Sequence, residues 1–117
     1  MMIREKLVIL KQSNMLEQST VDSLLAILDY LITKNIIDSE DKADFFITHL
    51  AMACMRNNKK EYINFLEDDM REEIIASEHF LASQMLWRKL KKLLSFKLYE
   101  AETDYIYLHL VNFLNAR

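Results

Sequence analysis

The chain has 117 residues, a net charge of −3, and neither glycine nor proline. Tight turns and hairpins usually need one of these two residues, so the composition argues against a sheet-rich protein and favours one helical domain. The acidic balance argues against a general nucleic-acid footprint, which is normally basic.

Three helices are predicted in the first half of the chain. The first is a short helix over residues 3–12. Ser19 followed by Asp22 resembles a capping box, so a second helix is expected to begin there and to stop near Asn35. A third helix is expected to be capped by Asp38 or Ser39 and to run to about residue 57.

The second half of the chain predicts three more helices. One begins near Lys60 or Glu61, and a break near Ser77 starts another that reaches about Leu94. The last begins near Glu100 and extends almost to the C-terminus. Apart from the short N-terminal segment, these elements are five helices of ordinary length, and they predict a compact all-α five-helix bundle over residues 1–117.

Two of the three histidines lie inside strongly apolar helical stretches. In "FFITHLAMACMR", residues 45–56, His49 lies at the edge of a predicted buried face that comprises Phe46, Ile47, Leu50, Ala51, Ala53 and Cys54. The opposite side of this helix leaves three large apolar side chains without a predicted partner, namely Phe45, Met52 and Met55. Such a surface often marks an interface, so we expect a homodimer contact there.

The helix around His109 is apolar on most of its circumference, which predicts that it is buried within the bundle or between subunits. His109 shares a stripe with Glu102, Tyr105 and Phe113. On general behaviour alone, a histidine in such a helix is more often a packed core residue than a reactive one, and His79 is expected to be purely structural.

Other chemistries find little support in the residue pattern. No histidine pair has metal-ligand spacing and Cys54 has no second thiol, so no metal or cofactor is predicted, and a reducing cytoplasmic location is expected. The longest apolar runs are too short to span a membrane. The basic run "WRKLKK", residues 87–92, is most simply a solvated helix end, with a docking patch for an acidic partner as the alternative.

Together the two histidine stretches resemble the phosphotransferase-system regulation domain, or PRD. "THLAMACMR" is similar to the family's first signature, with a histidine, a small residue and an arginine at His49, Ala53 and Arg56. "AETDYIYLHLVN" is similar to the second signature, and the residues that match it are Glu102, Tyr105, Ile106, Leu108, His109 and Asn112. The resemblance extends from about residue 19 to the C-terminus.

This resemblance implies a five-helix regulatory domain that dimerises and is not an enzyme. It implies that His49 and His109 accept phosphate from the phosphocarrier protein HPr or from an enzyme II component of the sugar phosphotransferase system. Site support is assigned to Arg56, Glu102, Tyr105 and Asn112. We expect a stand-alone PRD that senses phosphotransferase state and acts on transcription through a separate regulator protein, without binding nucleic acid or membrane itself.

Two positions depart from the family's usual second signature. Ala101 stands where an aspartate is common, and Tyr99 stands where a proline is common. Loss of that aspartate favours an alternative, in which the chain keeps the PRD fold as a helical dimerisation or protein-interaction module and is not phosphorylated.

Overall fold

A computed structural model of the chain describes residues 2–117, and within that range every regular element is helical. Six α-helices and one short 3-10 helix follow each other along the chain. They are α1 (Ile3–Gln12), α2 (Gln18–Thr33), a 3-10 helix (Glu40–Ala43), α3 (Asp44–Lys59), α4 (Asp68–Ala76), α5 (Phe80–Lys91) and α6 (Glu100–Asn115). The all-α class is therefore confirmed.

The predicted count of five helices is wrong, because α1 is an integral part of the bundle. It packs against both α2 and α3. Ile3 and Leu7 of α1 are buried in the main core. The apolar positions of this segment are four residues apart, which is the spacing of one helical face.

The ends of the first helices follow local chemistry. Asn35 has φ of 57° just after α2, as expected for a residue that closes a helix in the left-handed conformation. At the start of α2, however, Gln18 Nε2 donates to Asp22 Oδ1 at 2.7 Å, and this bond replaces the predicted box between Ser19 and Asp22. The third predicted helix is divided, since a 3-10 turn precedes α3.

The predicted start of the next helix near residue 60 is also wrong, because that helix, α4, begins at Asp68. Lys60 has φ of 58° and closes α3, and the chain then runs without regular structure to α4. This connecting segment is held against α6: Leu66 is buried beside Val111, and Tyr105 Oη donates to the Asn64 carbonyl at 3.3 Å. These tertiary contacts outweigh the helix propensity of the segment. The predicted break at Ser77 is confirmed, and its Oγ accepts a bond from the His79 amide at 3.1 Å.

The main core is formed by side chains of α1, α2, α3, α5 and α6, and it fixes the position of α3 relative to α6. Phe46 of α3 is fully buried, and its ring lies 5.6 Å from the ring of Phe113 on α6 in an edge-to-face arrangement. All six residues predicted for the buried face of α3 are buried. In the part of the chain that the structure covers, no helix is long and apolar enough to cross a membrane.

Candidate functional site

His49 of α3 and His109 of α6 lie against each other, although they are 60 residues apart in sequence. The distance from His49 Nδ1 to His109 Nε2 is 3.3 Å. The two rings stand edge to face, with centroids 5.4 Å apart and an interplanar angle of 78°. The geometry follows from the core, because Phe46 precedes His49 by one helical turn and its ring also contacts His109.

The Glu102 carboxylate is the centre of the site. Its side chain is 1% exposed, and Oε2 lies 2.8 Å from Nε2 of His49. Arg56 donates from Nε and Nη2 to the other oxygen, at 3.1 Å and 2.7 Å. A buried carboxylate needs this kind of pairing, because an unpaired charge is expensive to remove from water. Glu102 also lies in the first turn of α6, where the helix dipole favours a negative charge.

The hydrogen bonds that join His109, His49 and Glu102 determine which ring nitrogens carry a proton. A carboxylate only accepts hydrogen bonds, so Nε2 of His49 carries the proton and donates to Glu102. Neutral His49 therefore has its lone pair on Nδ1, which accepts from Nε2–H of His109. The line of donors runs in one direction, from His109 through His49 to Glu102.

His109 is uncharged near neutral pH. Burial and, to a lesser extent, the positive charge that neighbouring His49 carries when protonated together lower its pKa from the usual 6.5 to about 4. The two rings lie too close to carry two positive charges. A neutral imidazole has one nitrogen lone pair and is a nucleophile at pH 7.

The histidines open onto a depression on the outside of the bundle. Its volume is about 530 Å3, and its lining residues are Phe45, Thr48, His49, Met52, Arg56, Ile63, Tyr105 and His109. The Tyr105 ring stands edge-on to the His49 ring, with centroids 5.9 Å apart. Phe45 and Met52 at its rim are 83% and 49% exposed, whereas Met55 packs partly into the core.

Five of the six predicted site residues come together in this way, namely His49, Arg56, Glu102, Tyr105 and His109. Asn112 is exposed and is not among the residues that line the depression. The Arg56 guanidinium is bound to Glu102, a partner that the sequence did not predict. His79 is separate from the site and precedes α5 beside Glu78.

Sequence reasoning missed the direct bond between His49 and Glu102 and the contact between the two histidines. A signal for both existed in the spacing. His49 and Arg56 are two helical turns apart on α3, and Glu102 and His109 are two turns apart on α6. Two pairs with the same spacing on packed helices place their members opposite one another.

Ala101 does not leave the site without a carboxylate. Its side chain is buried, and the neighbouring Glu102 supplies the acceptor that holds His49. The absence of an aspartate at position 101 therefore leaves the orientation of His49 intact.

Three comparisons with known proteins were made, and one of them gave a match. The family model described as "PRD domain" matches residues 22–113, which include both histidines, Arg56 and Glu102. A comparison with curated proteins and a comparison with solved structures each gave no match. The matched segment covers most of the chain and all of the site, and the chain belongs to the PRD family of regulatory domains.

Proposed function

We propose that this chain is a phosphohistidine sensor, in which the His49 and His109 pair accepts a phosphoryl group from the sugar phosphotransferase system. PRDs are regulatory domains and not catalysts, which is consistent with the site. The observation that carries the proposal is the hydrogen-bonded line from Glu102 through His49 to His109 beside an open depression. The expected donors are HPr or an enzyme II component, in the cytoplasm.

His49 is the better acceptor of the two. Its Nε2–H donates to a carboxylate, which orients the ring and stabilises the positive charge that develops when Nδ1 attacks phosphorus. This is the same role that a carboxylate plays behind the histidine of a catalytic triad. His109 must swing aside to admit the donor, and its Nε2–H is then placed to donate to a phosphoryl oxygen.

A phosphoryl group would change the charge of the site sharply. It brings about −1.5 to −2 charges at pH 7. Without it, Arg56 and Glu102 balance each other, and His109 is neutral at this pH. The added charge would either draw Arg56 away from Glu102 or disturb the apolar rim formed by Phe45 and Met52.

Phosphorylation would be signalled through a change in how the domain associates with a second copy. The rim belongs to α3, so a charge at His49 acts on the same helix that presents Phe45 to a partner. We propose that the domain forms a homodimer through this surface and that phosphorylation changes the dimer, which a separate transcriptional regulator then detects.

The test is phosphotransfer in vitro from phosphoenolpyruvate through enzyme I and HPr, read by intact mass at alkaline pH. We expect the wild-type chain to gain phosphate and the double variant His49→Gln/His109→Gln to gain none. The double variant keeps His79 and therefore controls for unspecific labelling. An enzyme II component is offered as the second donor.

A second candidate function is a protein-interaction module with the PRD fold and no phosphorylation. The high exposure of Phe45, which is 83%, favours a partner at this surface in either case. Failure of both donors to label a folded wild-type chain would make this candidate the better one.

A further inference from the structure

The two histidines share one small space and one charge-balancing residue. Their facing nitrogens are 3.3 Å apart, which is the separation of a hydrogen bond and leaves no room for a phosphorus atom between them. Any group attached to the facing nitrogen of one ring has to displace the other ring from its present position.

The space between the rings limits how many phosphoryl groups the pair can hold, and the charges around the pair set a second limit on that number. Arg56 is the cation that borders the depression, and both of its bonding nitrogens already contact Glu102. Glu102 itself adds a buried negative charge on the far side of His49. Like charges a few ångströms apart in a partly buried site repel strongly, because water screens them poorly there.

From these two limits we propose that the histidines form a single acceptor site: each ring can take a phosphoryl group, but one chain holds only one such group at a time. This inference rests on the proposed function and goes beyond it, since two phosphorylatable histidines would otherwise hold up to two. Phosphate on one ring blocks the other by bulk and by charge.

The transfer is balanced in atoms and charge. The N–P bond of the phosphohistidine donor breaks, and a new N–P bond forms at the facing nitrogen of the accepting imidazole. In His49 this nitrogen, Nδ1, already has the lone pair; in His109 the proton first moves from Nε2 to Nδ1, which frees the lone pair of Nε2. The N–H proton that the accepting ring gives up passes through water to the nitrogen that the donor has freed. When His49 carries the phosphoryl group, His109 keeps its Nε2–H and donates it to a phosphoryl oxygen; when His109 carries the group, the N–H of His49 remains bound to Glu102.

The experiment follows phosphate uptake to its plateau with excess phosphorylated HPr, and counts phosphates per chain by denaturing intact mass at alkaline pH. Three folded proteins are compared: the wild type, His49→Gln and His109→Gln. We expect one phosphate per chain in all three, more slowly in the variants, and no doubly labelled wild-type chain. Peptide mapping of the wild type is expected to find phosphate on either histidine.

The remaining outcomes separate this inference from the proposed function. A wild-type chain with two phosphates overturns the single-acceptor inference and leaves the sensor function standing. The same holds if one variant takes up no phosphate, since one ring is then no acceptor at all. No phosphate on any of the three proteins overturns both. If a variant does not fold, the wild-type mass count alone still decides between one phosphate and two.

Discussion

Glu102 Oε2 lies 2.8 Å from Nε2 of His49, so α6 supplies the carboxylate that orients a histidine of α3. Arg56 completes the arrangement by holding the other oxygen of Glu102. The three residues link the two helices that carry the histidines, and they leave Nδ1 of His49 as the lone-pair nitrogen that faces His109.

Removing this carboxylate is expected to destabilise the domain. Glu102→Ala leaves both Arg56 and His49 without their buried acceptor, and loss of one partner from a buried ion pair costs about 3–5 kcal/mol. Glu102→Gln keeps the shape and one acceptor oxygen, so we expect a smaller loss of about 1–3 kcal/mol. Urea unfolding measures both.

The matched control for Glu102 is Glu73→Ala, which removes an exposed carboxylate from α4. Its unfolding free energy is expected to stay within about 0.5 kcal/mol of the wild type. If Glu102→Ala and Glu73→Ala lose the same unfolding free energy, the buried ion pair of Glu102 does not stabilise the domain more than an exposed carboxylate does.

The lowered pKa of His109 predicts a pH dependence of stability. Between its usual pKa of 6.5 and its folded pKa of about 4, the unfolded chain binds a proton at this residue and the folded chain does not. The contribution of His109 to the free energy of unfolding is therefore fully present above about pH 6.5 and falls as the pH drops towards 4. Since the ring is partly solvent-accessible, screening reduces the effect to roughly 1–2 kcal/mol.

The comparison that isolates this effect is urea unfolding of the wild type and of His109→Gln at several pH values from 7 to 4. Carboxylates elsewhere titrate in both proteins, so only the difference between the two curves reports on His109. The wild type should lose more stability than the variant over this range. Parallel curves would contradict the assignment of a neutral, partly buried His109.

The exposed rim of the depression predicts a dimer. Phe45→Glu places a charge at the centre of the proposed contact and should weaken association about tenfold or more, as seen for well-placed interface aromatics. Leu81→Glu is the control, because Leu81 is 68% exposed on a different helix, α5. Light scattering measures the molar mass of both variants at tens of micromolar protein, a concentration at which weak dimers form. A wild-type chain that is monomeric there would contradict the dimer.

A permanent charge at the acceptor position should also act on association. His49→Asp is a crude mimic of the phosphorylated residue, and we expect it to shift the monomer–dimer equilibrium measurably. His79→Asp is the matched control, since His79 precedes α5 and an aspartate is well tolerated before a helix. Sedimentation equilibrium measures the dimer dissociation constant of both variants. Equal constants for the two would show that a charge at His49 does not affect association.

The sequence predicted those features that depend on periodicity within one helix. The buried face of α3 and the break at Ser77 are examples, because side-chain spacing and capping chemistry determine them locally. The segment after Lys60 was not predictable in this way, since contacts of Leu66 and Tyr105 with distant residues hold it out of a helix. The partner of Arg56 likewise depends on how α3 packs against α6, which one sequence does not state.

The most direct test of the account maps phosphate to individual histidines. The wild type, His49→Ala and His109→Ala are incubated with limiting phosphorylated HPr, and the sites are identified by mass spectrometry of peptides at alkaline pH. The account predicts that wild-type phosphate is mainly on His49, that His49→Ala removes most of the incorporation, and that His109→Ala removes less. Phosphate found only on His109, or no phosphate on either histidine, would contradict it.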